Sequence, residues 1–485
     1  MPDLEFKDMQ GFIARGYGSL PAAAYLVLTV DEGSEARAWL KGLIPSVTPA
    51  DLRPETQALH VAFTSHGLRA LGLDETSLRS FSREFWEGMA DDHRARHVLG
   101  DRGASAPGRW RWGGDTHTHA LLLLFARDND ELGAFVNEVR AAYGGVRELA
   151  WLDTFAFDSP LEHFGFNDGI AQPFMEGLRR TGPPANTVAA GEFVLGYPNE
   201  YGRRPLTPLV ESDLDPAGVL PSRVRADGSE PKRDGPSFHD LGKNGTYLVF
   251  RELSQDVPAF WRFVDEASRL DDGSSNPEER LRLAAKMVGR WPSGAPLTLC
   301  PDQDDPDQGS RDDFGYREHD RTGDRCPLGA HIRRTNPRDA LEGSPEDALK
   351  VANRHRLLRR GRPYGAPISR TMDIEEILRH TGEHEEVGLH FISLGTDIAR
   401  QFEFVQHTWI NNAKFDGLYT DADPLMGHTG DRQGTFTLQG APVRTRVTGM
   451  ERFVETRGGG YFFLPGVRAL RYLASLPAPP TGPSS

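Results

Sequence analysis

The sequence is poor in cysteine, with only Cys300 and Cys326 among its 485 residues. Two cysteines exclude a framework of several disulfides and any metal site built from four thiolates. No apolar run reaches the roughly 18 residues that a membrane-spanning helix needs. The most apolar run, at 120–126, has the length of a buried strand. Because the N-terminus also lacks the basic and apolar segments of a secretory signal, we expect a soluble cytoplasmic protein.

Positive charge is also in short supply. Lysine and arginine together number 56, against 70 aspartate and glutamate residues, so the formal net charge is −14 at pH 7. A surface this acidic repels polyanions, and we therefore expect neither nucleic acid nor an anionic membrane as the main partner. Apolar residues make up 38% of the chain, which is typical of a globular protein with a large core.

The first 157 residues alternate between predicted strands and helices. The apolar patterns indicate strands at 22–30, 59–64, 119–126 and 148–157, and helices at 34–43, 68–71 and 130–143. Setting aside the short helix at 68–71, this order is β-α-β-β-α-β, which is typical of a ferredoxin-like domain with an antiparallel sheet and packed helices. We therefore predict a first domain over 1–157.

A second region repeats this order more loosely. Strands are predicted at 246–253, 388–394 and 453–464, and helices at 256–270, 397–409 and 467–473. We predict a second ferredoxin-like domain over 244–476, so that the fold class is α+β, of the dimeric α+β barrel type. The connecting segment 158–243 is rich in proline and glycine and too long for a plain linker, so we expect it to cover a functional surface. Residues 477–485 are predicted to form a mobile tail.

The segment 164–173 is the first of three that could carry chemistry. Gly165 and Gly169 bracket Asp168 directly after a predicted strand. Glycines allow the backbone to approach a ligand closely, which favours a binding loop. A tight turn in which Asp168 bonds its own backbone would give the same pattern.

The second segment, 326–338, surrounds His331 with small and apolar residues. Arg333, Arg334 and Arg338 follow closely. A histidine ligand followed by basic residues suits a metal held inside an anionic ligand, such as haem with its propionates. The alternative is an ordinary histidine, since the chain has 16 of them.

The third segment, 358–365, is a cationic turn with Arg359, Arg360 and Arg362. A solvated basic loop would look the same.

Two other patterns are weaker. The aspartates at positions 302, 304, 305 and 307 lack the alternation, glycine and glutamate of a calcium loop, and the glycines at 458–460 precede a strand rather than the helix that a phosphate site needs.

Taken together, these segments resemble the dye-decolorizing peroxidases, whose characteristic motifs follow one another in the same order. The matching segments are DMQG at 8–11, GFNDG at 165–169, CPLGAHIRRTNPR at 326–338, RRGRPYG at 359–365, QFEFVQ at 401–406 and RGGGYFFLP at 457–465. The resemblance covers nearly the whole chain and is strongest to the larger, non-secreted bacterial members.

The resemblance implies a peroxidase that binds one haem b per chain in its C-terminal domain. Such an enzyme reduces hydrogen peroxide through a ferryl intermediate and oxidises small aromatic or dye-like donors. On the matching motifs, His331 would be the iron ligand, Asp168 the acid–base group on the opposite face, and Arg359 the cation beside it.

The resemblance also implies further contacts to the cofactor. Asp397 aligns best with the carboxylate that holds the second ring nitrogen of the histidine ligand, with Ser393 and Glu403 nearby. Arg333 would meet the propionates, and Ile170 and Gln172 would contact the haem from the loop that follows Asp168.

Two other functions remain open from the residues alone. The same ligands would serve a haem-handling or iron-release protein with incidental peroxidase activity, and a pair of ferredoxin-like units could also form an interaction module without a cofactor. The oligomeric state is not determined by the sequence, and a homodimer is one expectation.

Overall fold

The computed structural model describes residues 3–158, 160–178, 182–224, 237–427, 434–440 and 442–477. The strands are β1 Ala22–Val30, β2 Gln57–Phe63, β3 Ala120–Ala126, β4 Val146–Asp153, β5 Phe174–Met175, β6 Thr187–Val188, β7 Leu209–Glu211, β8 Phe238–Asp240, β9 Thr246–Gln255, β10 Leu358–Arg359, β11 Arg362–Tyr364, β12 Gly388–Gly395, β13 Gly434–Leu438, β14 Thr445–Met450 and β15 Val454–Leu464. The α-helices are α1 Gly11–Ala14, α2 Gly33–Leu43, α3 Ser65–Ala70, α4 Glu75–Arg79, α5 Arg83–Glu87, α6 Asn129–Ala141, α7 Val257–Ala267, α8 Pro277–Val288, α9 Tyr316–His319, α10 His331–Thr335, α11 Pro345–Asn353, α12 Ile374–Arg379 and α13 Val467–Ala474.

One antiparallel sheet of nine strands runs through the described residues. Its order is β10-β12-β9-β15-β2-β3-β1-β4, and β11 pairs with β12 beside β10. The N-terminal four strands and the C-terminal strands each follow the ferredoxin-like order, so the predicted α+β fold class is confirmed. The two halves meet between β2 and β15 at the pair Phe63 and Phe463.

The sheet is buried on both faces, which explains its apolar sequence. Every residue of β3 is buried, and only the last residue of β1 is partly accessible. Strand β4 lies at one edge of the sheet, and its residues alternate between exposed and partly buried. The domain boundaries at 157 and 243 stay predictions, and all of the predicted tail except Pro477 lies outside the described residues.

The clearest difference from the predicted elements follows β12. In place of one α-helix over 397–409, the chain forms two π-helical segments, Ala399–Glu403 and Val405–Ile410. Hydrophobic periodicity indicates a helix here but does not distinguish the wider π turn, which occurs frequently at functional sites. In the part of the chain that the structure describes, no helix is long and apolar enough to cross a membrane.

We expect Phe463 to be essential for holding the two halves together. Its ring packs against Phe81 and Tyr247, with centroid distances of 5.2 and 6.4 Å. Replacing it by alanine should lower the free energy of unfolding by about 3–5 kcal/mol, because the change leaves a cavity in the core. Urea unfolding measures this loss, and Leu206→Ala, at a side chain that is 89% exposed, is the control. Equal midpoints for the two variants would contradict this account of the junction.

Candidate active site

His331, Asp168 and Arg359 line a single cavity in the C-terminal half. The cavity lies between strands β9, β12 and β15, the two π-helical segments, helix α10 and the loop 162–171. Its walls are mostly apolar and include Phe164, Phe166, Ile170, Leu253, Val288, Ile332, Leu357, Leu389, Phe391, Phe402, Val405, Ile410, Leu425, Met426 and Val454. Large apolar cavities with a few converging polar groups are typical of cofactor sites.

The ring of His331 is held in one orientation by a buried carboxylate. Its Nδ1 lies 2.9 Å from Oδ2 of Asp423, whose Oδ1 accepts hydrogen bonds from the backbone N–H groups of Leu425 and Met426. Burial acts to raise the pKa of Asp423, but the adjacent His331 ring holds it below the usual range. Nε2 of His331 has no hydrogen-bond partner among the described residues, so it is available to the cavity.

Asp423 occupies the role that the sequence assigned to Asp397, and that prediction is wrong. Asp397 instead stabilises the start of the π-helical segment, where Oδ1 accepts from Arg400 N at 2.9 Å and Oδ2 pairs with Arg400 Nε at 3.3 Å. Glu403, also considered, forms a salt bridge with Arg94. Asp423 lies 92 residues after His331, and no local pattern connects the two positions.

Asp168 and Arg359 form an ion pair at the cavity wall. Oδ1 of Asp168 accepts from Nη1 of Arg359 at 3.0 Å. The loop turns sharply on both sides of Asp168, because Gly165 has φ +93° and Gly169 has φ +81°. Arg359 lies in β10, and its backbone N–H donates to Oε1 of Gln172 at 3.1 Å.

The ion pair keeps Asp168 charged. Burial acts to raise the pKa of its carboxyl, but the Arg359 guanidinium and the backbone N–H of Gly169 hold that pKa below the usual range. The side chain is 43% exposed because it faces the cavity. An ionised carboxylate that is open to a cavity can accept a proton from a bound substrate.

The remaining predicted contacts divide into two groups. Ile170 lines the cavity, whereas Gln172 reaches the site only through the backbone of Arg359. Arg333 is turned away, and its prediction is wrong: it is buried against Asp320 at 3.2 Å and the carbonyl of Cys326 at 2.9 Å. Two residues along a helix are roughly 200° apart, so Arg333 cannot share the face of His331.

Four other arginines line the cavity: Arg251, Arg290, Arg338 and Arg356. Arg251 is paired with the buried carboxylate of Asp101. Asp312 forms salt bridges with Arg290, at 2.9 Å, and with Arg338. Arg356 makes only long hydrogen bonds, 3.3 Å to Asn186 and 3.4 Å to the carbonyl of Ala171, and burial lowers its pKa to about 10. Arg290, Arg338 and Arg356 therefore lie around a single carboxylate, so this part of the wall carries an excess of two positive charges among the described residues.

These residues fit a haem. Within the described ranges, no group of three or more His, Cys, Asp or Glu side chains could hold a metal ion. A metal bound by the single ring nitrogen of His331 needs the rest of its coordination from a ligand such as a porphyrin. The apolar walls suit the porphyrin ring, and the excess of two positive charges suits two carboxylates.

Comparison with known proteins gives the same class. Peroxidase 2 of Mycetinis scorodonius is 30% identical over 447 residues, which are 87% of this chain and 77% of that protein. Multifunctional dye peroxidase DyP2 of an Amycolatopsis species is 29% identical over 476 residues, 92% of this chain and 91% of the relative. A dye-decolorizing peroxidase solved in complex with 2,6-dimethoxyphenol superposes with a TM-score of 0.75 at 26% identity, covering 97% of this chain and 100% of that one. No family model matches the chain.

The fold and the cavity define an α+β haem peroxidase. The chain belongs to the dye-decolorizing peroxidase family. The predictions of a peroxidase and of haem are thereby confirmed, and nothing in the similar proteins supports a haem-handling function.

We expect Arg359→Leu to make the enzyme sensitive to acid. Without the guanidinium, Asp168 loses the charge that contributes most to lowering its pKa, and burial then raises that pKa above the usual value of about 3.9. The acid limb of the activity profile, which should lie below that value in the unchanged protein, should move upward. Steady-state peroxide reduction measured at a series of pH values tests this expectation. Arg69→Leu, at an exposed salt bridge, is the control, and an acid limb that stays in place in Arg359→Leu would show that another group sets the pKa of Asp168.

Proposed function

We propose that the protein binds one haem b per chain through Nε2 of His331 and uses hydrogen peroxide to oxidise small aromatic donors. The observation that carries this proposal is the arrangement of three side chains around one cavity. His331 offers a ring nitrogen that has no partner in the described part of the chain, while the ion pair of Asp168 and Arg359 faces the same space.

His331, Arg290, Arg338 and Arg356 would hold the cofactor. The ring nitrogen would bind the iron, and the arginines would pair with the propionates. When bound, the haem would supply the iron centre that takes electrons from the donors and passes them to peroxide. Asp423, by accepting the Nδ1 proton of His331, fixes the ring and makes it a more basic ligand.

On the substrate side, Asp168 moves the proton and Arg359 supplies the charge. The Asp168 carboxylate accepts a proton from one oxygen of hydrogen peroxide and returns it to the other, which leaves as water. Arg359, permanently charged, stabilises the negative charge that develops on the departing oxygen. The walls around this ion pair are mostly apolar, which makes the charge interaction stronger than it would be in bulk solvent.

Small phenols and dye-like aromatics are the proposed donors. A similar protein has been solved in complex with 2,6-dimethoxyphenol. The cavity of this chain has four phenylalanine side chains in its wall, which suits aromatic rings. We also propose that the protein is cytoplasmic and forms a homodimer. The two cysteines are both free thiols, which supports the cytoplasmic location because disulfides are rare in that compartment.

The function is tested by an absorbance spectrum of the haem-loaded protein with and without peroxide. We expect a Soret band that shifts within one turnover of added hydrogen peroxide and returns when a phenol is supplied. His331→Ala should lose the haem on gel filtration, because it removes the only protein ligand proposed for the iron. A haem-replete protein that is inert to peroxide would contradict the proposed function, and full haem retention in His331→Ala would contradict the ligand assignment.

The two aspartates give a sharper test of the histidine environment. Asp423→Asn should weaken haem affinity by roughly 10–100-fold, since the amide cannot accept the ring proton as a carboxylate does. Asp397→Asn is the matched control and should retain normal affinity, because its carboxylate caps a helix away from the ring. Haem transfer to apomyoglobin measures both. Equal affinities in the two variants would show that the Asp423 contact does not support the ligand.

A further inference from the structure

A second carboxyl, that of Glu162, lines the same cavity as Asp168. It lies six positions before Asp168, at the start of the loop that carries it. Sequence reasoning passed over Glu162 because nothing in its neighbourhood distinguishes it from a surface glutamate. The Glu162 carboxyl forms no salt bridge among the described residues, and its contacts there are hydrogen bonds.

Three N–H donors converge on the Glu162 carboxyl. The backbone N–H of Phe164 donates to Oε2 at 3.0 Å, that of Phe166 donates to Oε1 at 3.1 Å, and Nε2 of Gln255 donates to Oε2 at 2.7 Å. All three partners are donors, and a carboxylate, which is an acceptor at both oxygens, satisfies them together. The side chain therefore closes the turn at Gly165 from the inside.

The backbone of the same residue strengthens this turn. The N–H of Glu162 donates to the carbonyl of Phe166 at 3.0 Å, and the N–H of Gly165 donates to the carbonyl of Glu162 at 2.8 Å. Directly beyond the turn, the N–H of Asp168 donates to the carbonyl of Pro160 at 2.9 Å. The position of Asp168 is thus set by this turn, which the Glu162 side chain closes, and by Asn167, whose backbone N–H and Nδ2 donate to the carbonyls of Pro292 and Ser293.

Gln255 connects this turn to β9, which β12 separates from β10, the strand of Arg359. It is the last residue of β9, and its backbone N–H donates to the carbonyl of Val387, just before β12. Strand β12 pairs with β9 along its whole length and, at Ser393, with Arg359 of β10. The Asp168 turn is therefore linked through Glu162 and Gln255 to the sheet in which β10 holds Arg359.

The pKa values of Glu162 and Asp168 are shifted in opposite directions, which agrees with separate roles for the two carboxyls. Burial raises the pKa of Glu162 to about 7, and the nearby charge of Asp168 acts in the same direction. Asp168 is instead held below its usual range. Neighbouring acids whose pKa values are driven apart are characteristic of active sites.

We propose that Glu162 is a positioning residue, which fixes Asp168 against Arg359 by tying the Asp168 turn to the end of β9 through Gln255. This inference rests on the acid–base role proposed above for Asp168. It assigns Glu162 no contact with the peroxide. Its effect is confined to the step in which Asp168 takes up a proton.

Cyanide binding to the haem-loaded ferric protein tests this role without turnover. Hydrogen cyanide, the form present at neutral pH, must give up its proton as the anion binds, so its association rate reports on the base that faces it. Glu162→Gln keeps the shape of the side chain but places an amide N–H₂ against backbone donors. Gln255→Met leaves the turn closed but cuts its connection to β9.

We expect cyanide association and the reaction with peroxide to slow by about tenfold in both variants, the effect of losing one hydrogen bond to a charged group. Haem affinity and the rate of donor oxidation should stay unchanged, which separates positioning from a general loss of structure. Glu176→Gln, in the same connecting segment but outside the cavity lining, is the matched control. If Glu162→Gln does not fold, Gln255→Met alone decides.

Asp168→Asn separates this inference from the function on which it rests. If Asp168→Asn slows cyanide association while Glu162→Gln and Gln255→Met bind it at the normal rate, the positioning role is refuted and the function stands. If Asp168→Asn also binds cyanide at the normal rate, the acid–base role of Asp168 fails, and the inference fails with it. Slowed association in all three variants, with normal haem affinity, supports both.

Discussion

The active site depends on holding two opposite charges, 191 residues apart in the chain, at a distance of 3.0 Å. The carboxylate comes from a loop and would move freely without support, whereas the guanidinium comes from a strand of the sheet. Their attraction alone would not fix a geometry, since an ion pair open to a cavity contributes little to stability. The sheet and the hydrogen bonds around the loop supply the missing rigidity, which lets the pair act as a preorganised site.

The same cavity carries an imbalance of charge that the protein alone does not resolve. Arg290, Arg338 and Arg356 are buried around a single carboxylate, Asp312, at a cost in desolvation. A dianionic cofactor would offset this cost, so folding and cofactor binding should support each other. Asp312 follows the aspartates at 302, 304, 305 and 307, and its salt bridges to Arg290 and Arg338 help to build the cavity wall.

Sequence reasoning found the functional residues that lie within short contiguous motifs. The glycines around Asp168, the small residues before His331 and the cationic turn at Arg359 were all found as short motifs, and the structure brings the three together. It failed where two interacting residues are distant in the sequence, and where the position of a residue on a helix decides the direction of its side chain. Asp397 was chosen because it aligned best with the family's carboxylate, and Asp423 was not considered. Arg333 was chosen because it followed the histidine, although the helix turns it to the opposite side.

The ferredoxin-like order of elements and the family were readable from the chain alone, because strand and helix periodicity and contiguous motifs are local properties. The identity of the carboxylate on His331, the surplus of arginines at the wall and the three donors on Glu162 required the folded protein. Each of these features depends on contacts between residues that are distant in sequence, or on the direction in which a side chain points. Local patterns carry no information on such contacts, because packing of the sheet, the π-helical segments and the loops decides them together.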